Sequence, residues 1–181
     1  VLSILGRHPL HNLLGEYIKI RDQRGPYGWS QDHRIDGSGN VNIATSLRQP
    51  GSTIKVVTYI AALLNGFTAA SMLDDTLTTF SIPGNDEPYA PVNYDGHYRG
   101  QVSLRFALAN SLNIPAVKTL NQIGIPAMVN LGKDMGITRW ENPSNYGLSI
   151  TLGAAEVTML DMATAYGTLA NGGIRQDLNP I

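Results

Sequence analysis

The spacing of apolar residues predicts a chain dominated by helices. Apolar side chains recur every three or four positions over Ile54–Leu64, and an Asn-Gly pair follows as a stop signal. The same period runs through Val157–Ala170, which ends at an Asn-Gly-Gly sequence. Three shorter helices are expected to begin near Ser103, Pro115 and Pro126, because serine caps helix starts and proline is favoured in the first turn.

Little of the chain has the alternating pattern of strands. The apolar run Val1–Leu5 predicts a buried strand, and residues 41–44 predict a short one within a polar surface loop over Arg21–Pro50. Phe67–Tyr98 is irregular and carries several proline and glycine turn signals. Such a long irregular stretch inside a compact domain more often has a function than serves only as a connection. Ser149–Leu152 is expected to be a short connector.

Composition narrows the class of protein. The 181 residues fit one compact domain or a large piece of one, and 43% of them are hydrophobic, enough for a sizeable core. Lysine and arginine total 13 against 14 acidic residues, so no basic excess supports nucleic-acid binding. The absence of cysteine excludes disulfides, thiolate nucleophiles and cysteine-based metal sites. No signal peptide is visible, and no apolar run approaches the ~20 residues that span a bilayer.

The strongest chemical pattern is Ser52 followed three residues later by Lys55. Gly51 permits an unusual turn just before Ser52, which then lies at a helix start with Lys55 on the same face. A serine hydroxyl needs a base within hydrogen-bond reach to act as a nucleophile. Burial and the positive end of the helix dipole both disfavour the ammonium, so a neutral Lys55 amine can accept the Ser52 proton. The alternative is an ordinary serine cap followed by a solvated lysine.

A second chemical element is Ser111-Leu112-Asn113, expected at the end of the Ser103 helix. The Ser111 hydroxyl is suited to relay a proton to a leaving amine, and the Asn113 amide offers a donor and an acceptor to a substrate amide. Ser-x-Asn recurs at Ser38, in a glycine-rich loop where turn chemistry explains it. Ser-x-x-Lys is more specific, because only one of the four lysines has a serine three positions before it.

These two motifs resemble the first two motifs of penicillin-binding proteins and class A β-lactamases. The flanking sequence extends the resemblance to the transpeptidase domain of bifunctional, class A penicillin-binding proteins, over roughly residues 41 to 175. The segments that carry it are Arg48–Lys55, Tyr89–Gly96, Gly100–Arg105, Ala107–Lys118, Leu148–Gly153, Glu156–Thr158 and Ala165–Gly173.

The resemblance implies an α+β fold of the β-lactamase/transpeptidase type, present as a helix-dominated fragment with the C-terminal strands of the sheet missing. Residues 1–181 are then a partial transpeptidase domain, in which residues 7–40 match poorly and form a loop or insertion. The implied activity is that of a serine-type D-Ala-D-Ala transpeptidase or carboxypeptidase. Such an enzyme cross-links peptidoglycan stem peptides through a serine acyl-enzyme and binds penicillin covalently.

The resemblance also assigns roles to single residues. Ser52 would be the acylated nucleophile, Lys55 its general base and Ser111 the proton shuttle. Asn113 would hold the substrate backbone and help to orient Lys55. No metal or organic cofactor is implied. The implied partners are stem peptides, β-lactam antibiotics and other cell-wall synthesis proteins, at the extracytoplasmic face of a bacterial membrane and with an anchor outside this chain.

One departure from the family pattern is the absence of the third motif, K-T-G or K-S-G. In the family this motif lies on a strand and supplies recognition of the substrate carboxylate and one oxyanion-hole amide. Loss of one oxyanion donor typically costs ~10²–10³ in rate, so the 181 residues alone are expected to be inactive. Two alternatives stay open: a β-lactamase or β-lactam sensor of the same fold, and a non-catalytic module of cell-wall assembly.

Several other polar residues favour structural interpretations. His8 and His11 lack a third ligand, so a surface or core pair is favoured over a zinc site. The adjacent carboxylates Asp74 and Asp75 point apart on an extended segment and are expected to cap a helix or to be solvated. Tyr94, with two neighbouring tyrosines, either lines a peptide groove or packs against other aromatic residues.

Overall fold

A computed structural model describes residues 42–81, 84, 86–176 and 178. Its contacts divide the chain into two compact units, each described by itself below. The larger unit contains Gln49–Leu131 and Glu141–Ala155. Among the described residues, the smaller unit contains those up to Arg48, Gly132–Trp140 and those from Glu156 onward. The predicted strand Val1–Leu5, and with it His8, His11 and Ser38, lies outside the described residues.

Helices dominate the described part of the chain. Its α-helices are α1 (Lys55–Leu64), α2 (Leu104–Ala109), α3 (Asn113–Ile123), α4 (Ile125–Asp134) and α5 (Met159–Ala170). Its strands are β1 (Met72–Asp75) and β2 (Gly100–Ser103), and its 3₁₀ turns are Gly51–Ile54, Pro143–Asn145 and Leu148–Leu152. The predicted α+β, helix-dominated class is therefore confirmed.

The helix ends follow the local sequence signals. The Ser103 hydroxyl accepts the Phe106 N–H at 3.3 Å and caps α2, as predicted. Helix α5 begins at Met159 rather than at Val157, because the side chain of Thr158 accepts the Asp161 N–H while the Asp161 carboxylate accepts the Thr158 N–H. This reciprocal capping box satisfies two backbone donors that a helix start otherwise leaves unpaired.

The structure differs from the sequence expectation where short strands are concerned. The stretch expected to be irregular contains β1, which pairs antiparallel with β2 so that Leu73 lies opposite Val102 and Asp75 opposite Gly100. Four residues are too few for a strand pattern to stand out from a loop. Residues 42–46, by contrast, form a turn in which the Asn42 side chain accepts the Ala44 N–H at 3.1 Å, whereas residues 41–44 were expected to form a strand.

The core of the larger unit fixes the geometry around α1. One cluster of its buried apolar residues comes from α1, both strands, α2 and the start of α3, and its members are Tyr59, Ala62, Leu73, Val102, Leu104, Ala107, Leu112 and Ala116. Lys55 and Tyr59 are four residues apart on α1 and are both buried, so they lie on the same inward face. That face therefore meets the junction between α2 and α3.

In the smaller unit, close packing centres on Trp140, whose side chain is buried. A Cβ built on Gly132 would come within 2.6 Å of the Trp140 ring, so the ring lies directly on the helix backbone. No helix formed by the described residues combines the length and apolarity needed to cross a membrane.

Candidate active site

Ser52 lies in a tight turn that leads into α1. Gly51 has a φ of +58°, a conformation that residues with a side chain rarely adopt, and the 3₁₀ turn Gly51–Ile54 follows. The Lys55 N–H donates to the Ser52 carbonyl. Residues three apart eclipse one another in a 3₁₀ turn, so the side chains of Ser52 and Lys55 project from the same side. The predicted same-face arrangement is present, but it arises from a 3₁₀ turn rather than from an α-helix.

A second glycine holds this turn in place. Gly153 has a φ of +88°, and a Cβ built on it would lie within 2.5 Å of the Gly51 Cα, closer than real Cβ atoms come. The 3₁₀ turn Leu148–Leu152, which precedes Gly153, is joined to α1 by a buried hydrogen bond of 2.6 Å between the hydroxyls of Thr58 and Thr151. The segment expected to be a mere connector thus supports the backbone just before Ser52.

The amine of Lys55 is buried, with 1% of the residue exposed, whereas Ser52 is exposed. Burial disfavours the ammonium and lowers the pKa of Lys55 from 10.5 to about 8. Among the described residues, no carboxylate forms an ion pair with this amine. Its hydrogen-bond partners are the Ser111 carbonyl at 2.5 Å, the Asn113 Oδ1 at 2.6 Å and the Ser111 Oγ at 3.2 Å.

The chemistry of these three partners allows Lys55 to exist in both protonation states. The Ser111 carbonyl and the Asn113 Oδ1 can only accept, so they engage the two N–H groups of a neutral amine. The third direction then holds the amine lone pair and faces a hydroxyl, which can donate to it. When Lys55 is an ammonium, the Ser111 hydroxyl can accept instead. Within the described residues no hydrogen bond joins the Lys55 amine to the Ser52 hydroxyl.

Ser111 occupies a position that normally selects glycine. It is the single described residue other than glycine with a positive φ, at +53°. Its N–H donates to the Leu108 carbonyl and the Leu112 N–H donates to the Ala107 carbonyl, both at 3.0 Å, which is the Schellman pattern at the end of α2. A side chain in the left-handed region costs roughly 1–2 kcal/mol. The turn therefore carries strain in order to present a hydroxyl to Lys55.

Asn113 is the first residue of α3 and is held by residues that the sequence reasoning did not single out. Its side-chain Nδ2 donates to the Val92 carbonyl at 2.8 Å, and its backbone N–H donates to the Asn93 Oδ1 at 2.9 Å. Asp75, expected to be solvated or to cap a helix, is fully buried and binds the Asn93 side chain at 2.7 Å. The available signals were the unusual length of the irregular stretch that contains Asn93 and the resemblance of its Tyr89–Gly96 segment.

The structure therefore brings Lys55, Ser111 and Asn113 into contact, with Ser52 on the same side of the turn. Other residues singled out in the sequence do not join them. Asp74 binds Lys118 at 2.5 Å, and Tyr94 is fully exposed. Within the described ranges, no group of three or more histidine, aspartate or glutamate residues could hold a metal ion.

The family of the site is shown by comparison with known proteins. A family model described as the penicillin binding protein transpeptidase domain matches residues 26–180. The chain is 41% identical over 147 residues to penicillin-binding protein 1A of Aquifex aeolicus, and 40% identical over 135 residues to that of Neisseria cinerea. These matches cover 81% and 73% of this chain but 19% and 16% of the relatives, so the chain spans less than a fifth of their length.

Solved structures are similar to this chain as well. One is penicillin-binding protein 1A from Haemophilus influenzae, at 35% identity and a TM-score of 0.65, covering 72% of this chain and 19% of that one. Another is an imipenem acyl-enzyme complex of penicillin-binding protein A from M. tuberculosis, at 27% identity and a TM-score of 0.65. That match covers 78% of this chain and 37% of the solved chain.

The strain at position 111 is testable by replacing Ser111 with glycine and with alanine. Both variants lose the hydroxyl, but only alanine keeps a Cβ in the left-handed region. We expect Ser111→Gly to have a free energy of unfolding about 1 kcal/mol higher than Ser111→Ala, measured by urea denaturation. Equal stabilities of the two variants would show that the turn is not strained.

Proposed function

Because the chain belongs to the penicillin-binding protein transpeptidase family, we propose that its site performs the serine acyl transfer of a peptidoglycan D,D-transpeptidase. The observation that carries the proposal is the buried, uncompensated amine of Lys55, which contacts Ser111 and Asn113 and lies three residues from the exposed hydroxyl of Ser52. A general base with a pKa near the working pH is what an activated serine needs.

In the acylation step, the Ser52 Oγ bonds to the carbonyl carbon of the penultimate D-alanine of a stem peptide. The Ser52 proton passes to the neutral amine of Lys55. The bond from the carbonyl carbon to the terminal D-alanine nitrogen then breaks, and that nitrogen takes a proton relayed through the Ser111 hydroxyl. The contact between Lys55 Nζ and Ser111 Oγ supports this relay, because the hydroxyl can donate in one direction and accept from the other.

In the transfer step, an amine of a neighbouring stem peptide attacks the ester at Ser52. A new amide forms, and the Ser52 oxygen leaves and recovers a proton. When water attacks instead, the same intermediate gives D,D-carboxypeptidase activity. A β-lactam acylates the same serine, but its leaving nitrogen stays attached to the acyl group, so the acyl-enzyme persists. The similar imipenem acyl-enzyme of M. tuberculosis supports this extension to β-lactams.

Asn113 has two tasks in this proposal: its Oδ1 orients Lys55, and its amide holds the substrate backbone.

Residues 1–181 act as part of a transpeptidase domain. Because stem peptides are its substrates, we place the domain on the extracytoplasmic side of the membrane, among other proteins of cell-wall synthesis.

The nucleophile is tested by replacing Ser52 with alanine in the full-length natural protein. We expect Ser52→Ala to abolish covalent labelling by a fluorescent penicillin, because no acyl acceptor remains, while circular dichroism shows an unchanged fold. Ser144→Ala is the control, since Ser144 is an exposed serine outside the site and its variant should label normally. Covalent labelling that persists in Ser52→Ala, at another residue, would end the assignment.

The base is tested through the pH dependence of acylation. Only neutral Lys55 can take the Ser52 proton, so with a pKa of about 8 the acylation rate should rise about tenfold per pH unit below pH 8. Above that pH the rate should level off. Stopped-flow measurements with a fluorescent penicillin from pH 6 to 10 give the profile, and a rate independent of pH over this range would exclude Lys55 as the base.

The missing third motif gives a separate prediction for the 181-residue chain expressed alone. It contains no K-T-G triplet, so we expect its acylation by penicillin to be at least ~10² slower than that of relatives that have the motif. The same fluorescence assay measures this, with a complete class A transpeptidase domain as the reference. Labelling of Ser52 at an ordinary rate would contradict the expectation.

A further inference from the structure

We propose that Asn93, anchored by Asp75, is a positioning residue that holds Asn113 and thereby Lys55 in the reactive arrangement. The inference rests on the proposed acyl transfer at Ser52. Neither Asn93 nor Asp75 contacts the Lys55 amine, so both act through Asn113.

The side-chain amide of Asn93 makes four polar contacts. Its Nδ2 donates to the Asp75 Oδ1 at 2.7 Å and to the His97 carbonyl at 2.8 Å. Its Oδ1 accepts the backbone N–H of Asn113 at 2.9 Å and that of Ile114 at 3.3 Å. Since an amide offers two hydrogens and two lone pairs, its capacity is filled and its orientation is fixed. Asn93 is 3% exposed, so bulk water has little access to these contacts.

These contacts cap α3 from a distant part of the chain. The residue before α3 is Leu112, whose side chain cannot accept a hydrogen bond, and the first N–H groups of a helix need an acceptor. Asn93 supplies that acceptor from 20 positions earlier in the sequence. The cap fixes the backbone of Asn113, which is the first residue of the helix.

The neighbouring residue fixes the Asn113 side chain. The Val92 carbonyl accepts from the Asn113 Nδ2 at 2.8 Å, so the Oδ1 of Asn113 must face the other way, toward the Lys55 Nζ at 2.6 Å. Val92 and Asn93 together thus determine both the position and the orientation of the acceptor that holds Lys55.

Asp75 explains why position 93 requires an amide. This carboxylate is fully buried at the end of β1, and its Oδ2 accepts the Arg99 N–H at 3.1 Å while its Oδ1 accepts from Asn93. A buried carboxylate is costly unless its oxygens are hydrogen-bonded. Position 93 must therefore donate toward Asp75 and accept from α3 at the same time, which an aspartate of the same size cannot do.

The first variant is Asn93→Ala in the full-length natural protein, assayed with a fluorescent penicillin. Without its hydrogen bond to Asn93, Asn113 should hold the Lys55 amine less precisely. A misplacement of a reacting group by about 1 Å can lower a rate ~10²-fold. We expect the acylation rate constant at pH 7 to fall roughly 10- to 100-fold, with little change in the initial binding of penicillin. Greater hydration of Lys55 should also move the midpoint of the pH profile upward, toward 10.5.

A donor–acceptor exchange separates positioning from a general loss of packing. Asn93→Asp should lower acylation as Asn93→Ala does, because two carboxylates then face each other. The double variant combines Asn93→Asp with Asp75→Asn, so that the amide introduced at position 75 can donate to the carboxylate introduced at position 93 and still accept the Arg99 N–H. We expect the double variant to acylate at least threefold faster than Asn93→Asp alone, because the repulsion between positions 75 and 93 is relieved. Recovery stays incomplete, because the carboxylate at position 93 still faces the His97 carbonyl and Arg99 loses its ion pair with position 75.

The matched control is Asp74→Asn. Asp74 is the preceding residue of β1 and also binds α3, through Lys118, but among the described residues it has no hydrogen bond with Asn93 or Asn113. Its variant should acylate within twofold of the unmodified protein and with an unchanged pH profile. A drop like that of Asn93→Ala would show that any weakening between β1 and α3 has the same effect, and would overturn the proposal.

The outcomes also separate this inference from the proposed function. If the unmodified protein is labelled at Ser52 and folded Asn93→Ala is labelled at the same rate, the positioning role is wrong and the acyl transfer stands. The role is also wrong if the folded double variant recovers nothing relative to Asn93→Asp. If the unmodified protein is not labelled at Ser52, the proposed function itself fails.

Discussion

The burial of one lysine amine without a counter-ion is the constraint on which the site depends. A carboxylate beside Lys55 would stabilise the ammonium and remove its capacity as a base. The structure instead surrounds the amine with neutral oxygens, two of which only accept hydrogen bonds. The nearby buried carboxylate, Asp75, is separated from Lys55 by the amides of Asn93 and Asn113. Its charge therefore anchors Asn93 and pairs with Arg99, at 3.7 Å, and does not pair with Lys55.

This arrangement requires the backbone to depart from ordinary preferences at two places. Ser111 takes a left-handed conformation that glycine would adopt at less cost, and its hydroxyl lies 3.2 Å from the Lys55 amine. Gly153 lies so close to the Gly51 backbone that a Cβ on Gly153 has no room, and this contact fixes the turn before Ser52. Strain of this kind persists only where the surrounding contacts hold the backbone in its strained conformation. Here the core beneath α1 and the Thr58–Thr151 hydrogen bond provide such contacts.

Local sequence predicted the features that depend on neighbouring residues. The sequence predicted the Ser103 cap, the helix that follows Ser52 and the end of α5, because caps and helical periodicity act within a few positions. The strands β1 and β2 were missed, since each has four residues and gains its stability from pairing with the other. Asp75 was misread as capping or solvated for the same reason, because its burial depends on Asn93 and Arg99.

The sequence by itself determined which chemical groups are available and that Ser52 and Lys55 share one side of a turn, because three-residue spacing is a local property. It also identified the Ser111–Asn113 segment as the second part of the site. Only the tertiary structure decided that the Lys55 amine is buried, that it meets Ser111 and Asn113 rather than water, and that Asn93 caps α3. These contacts join positions 20 to 58 residues apart, and packing of distant segments brings them within hydrogen-bond distance.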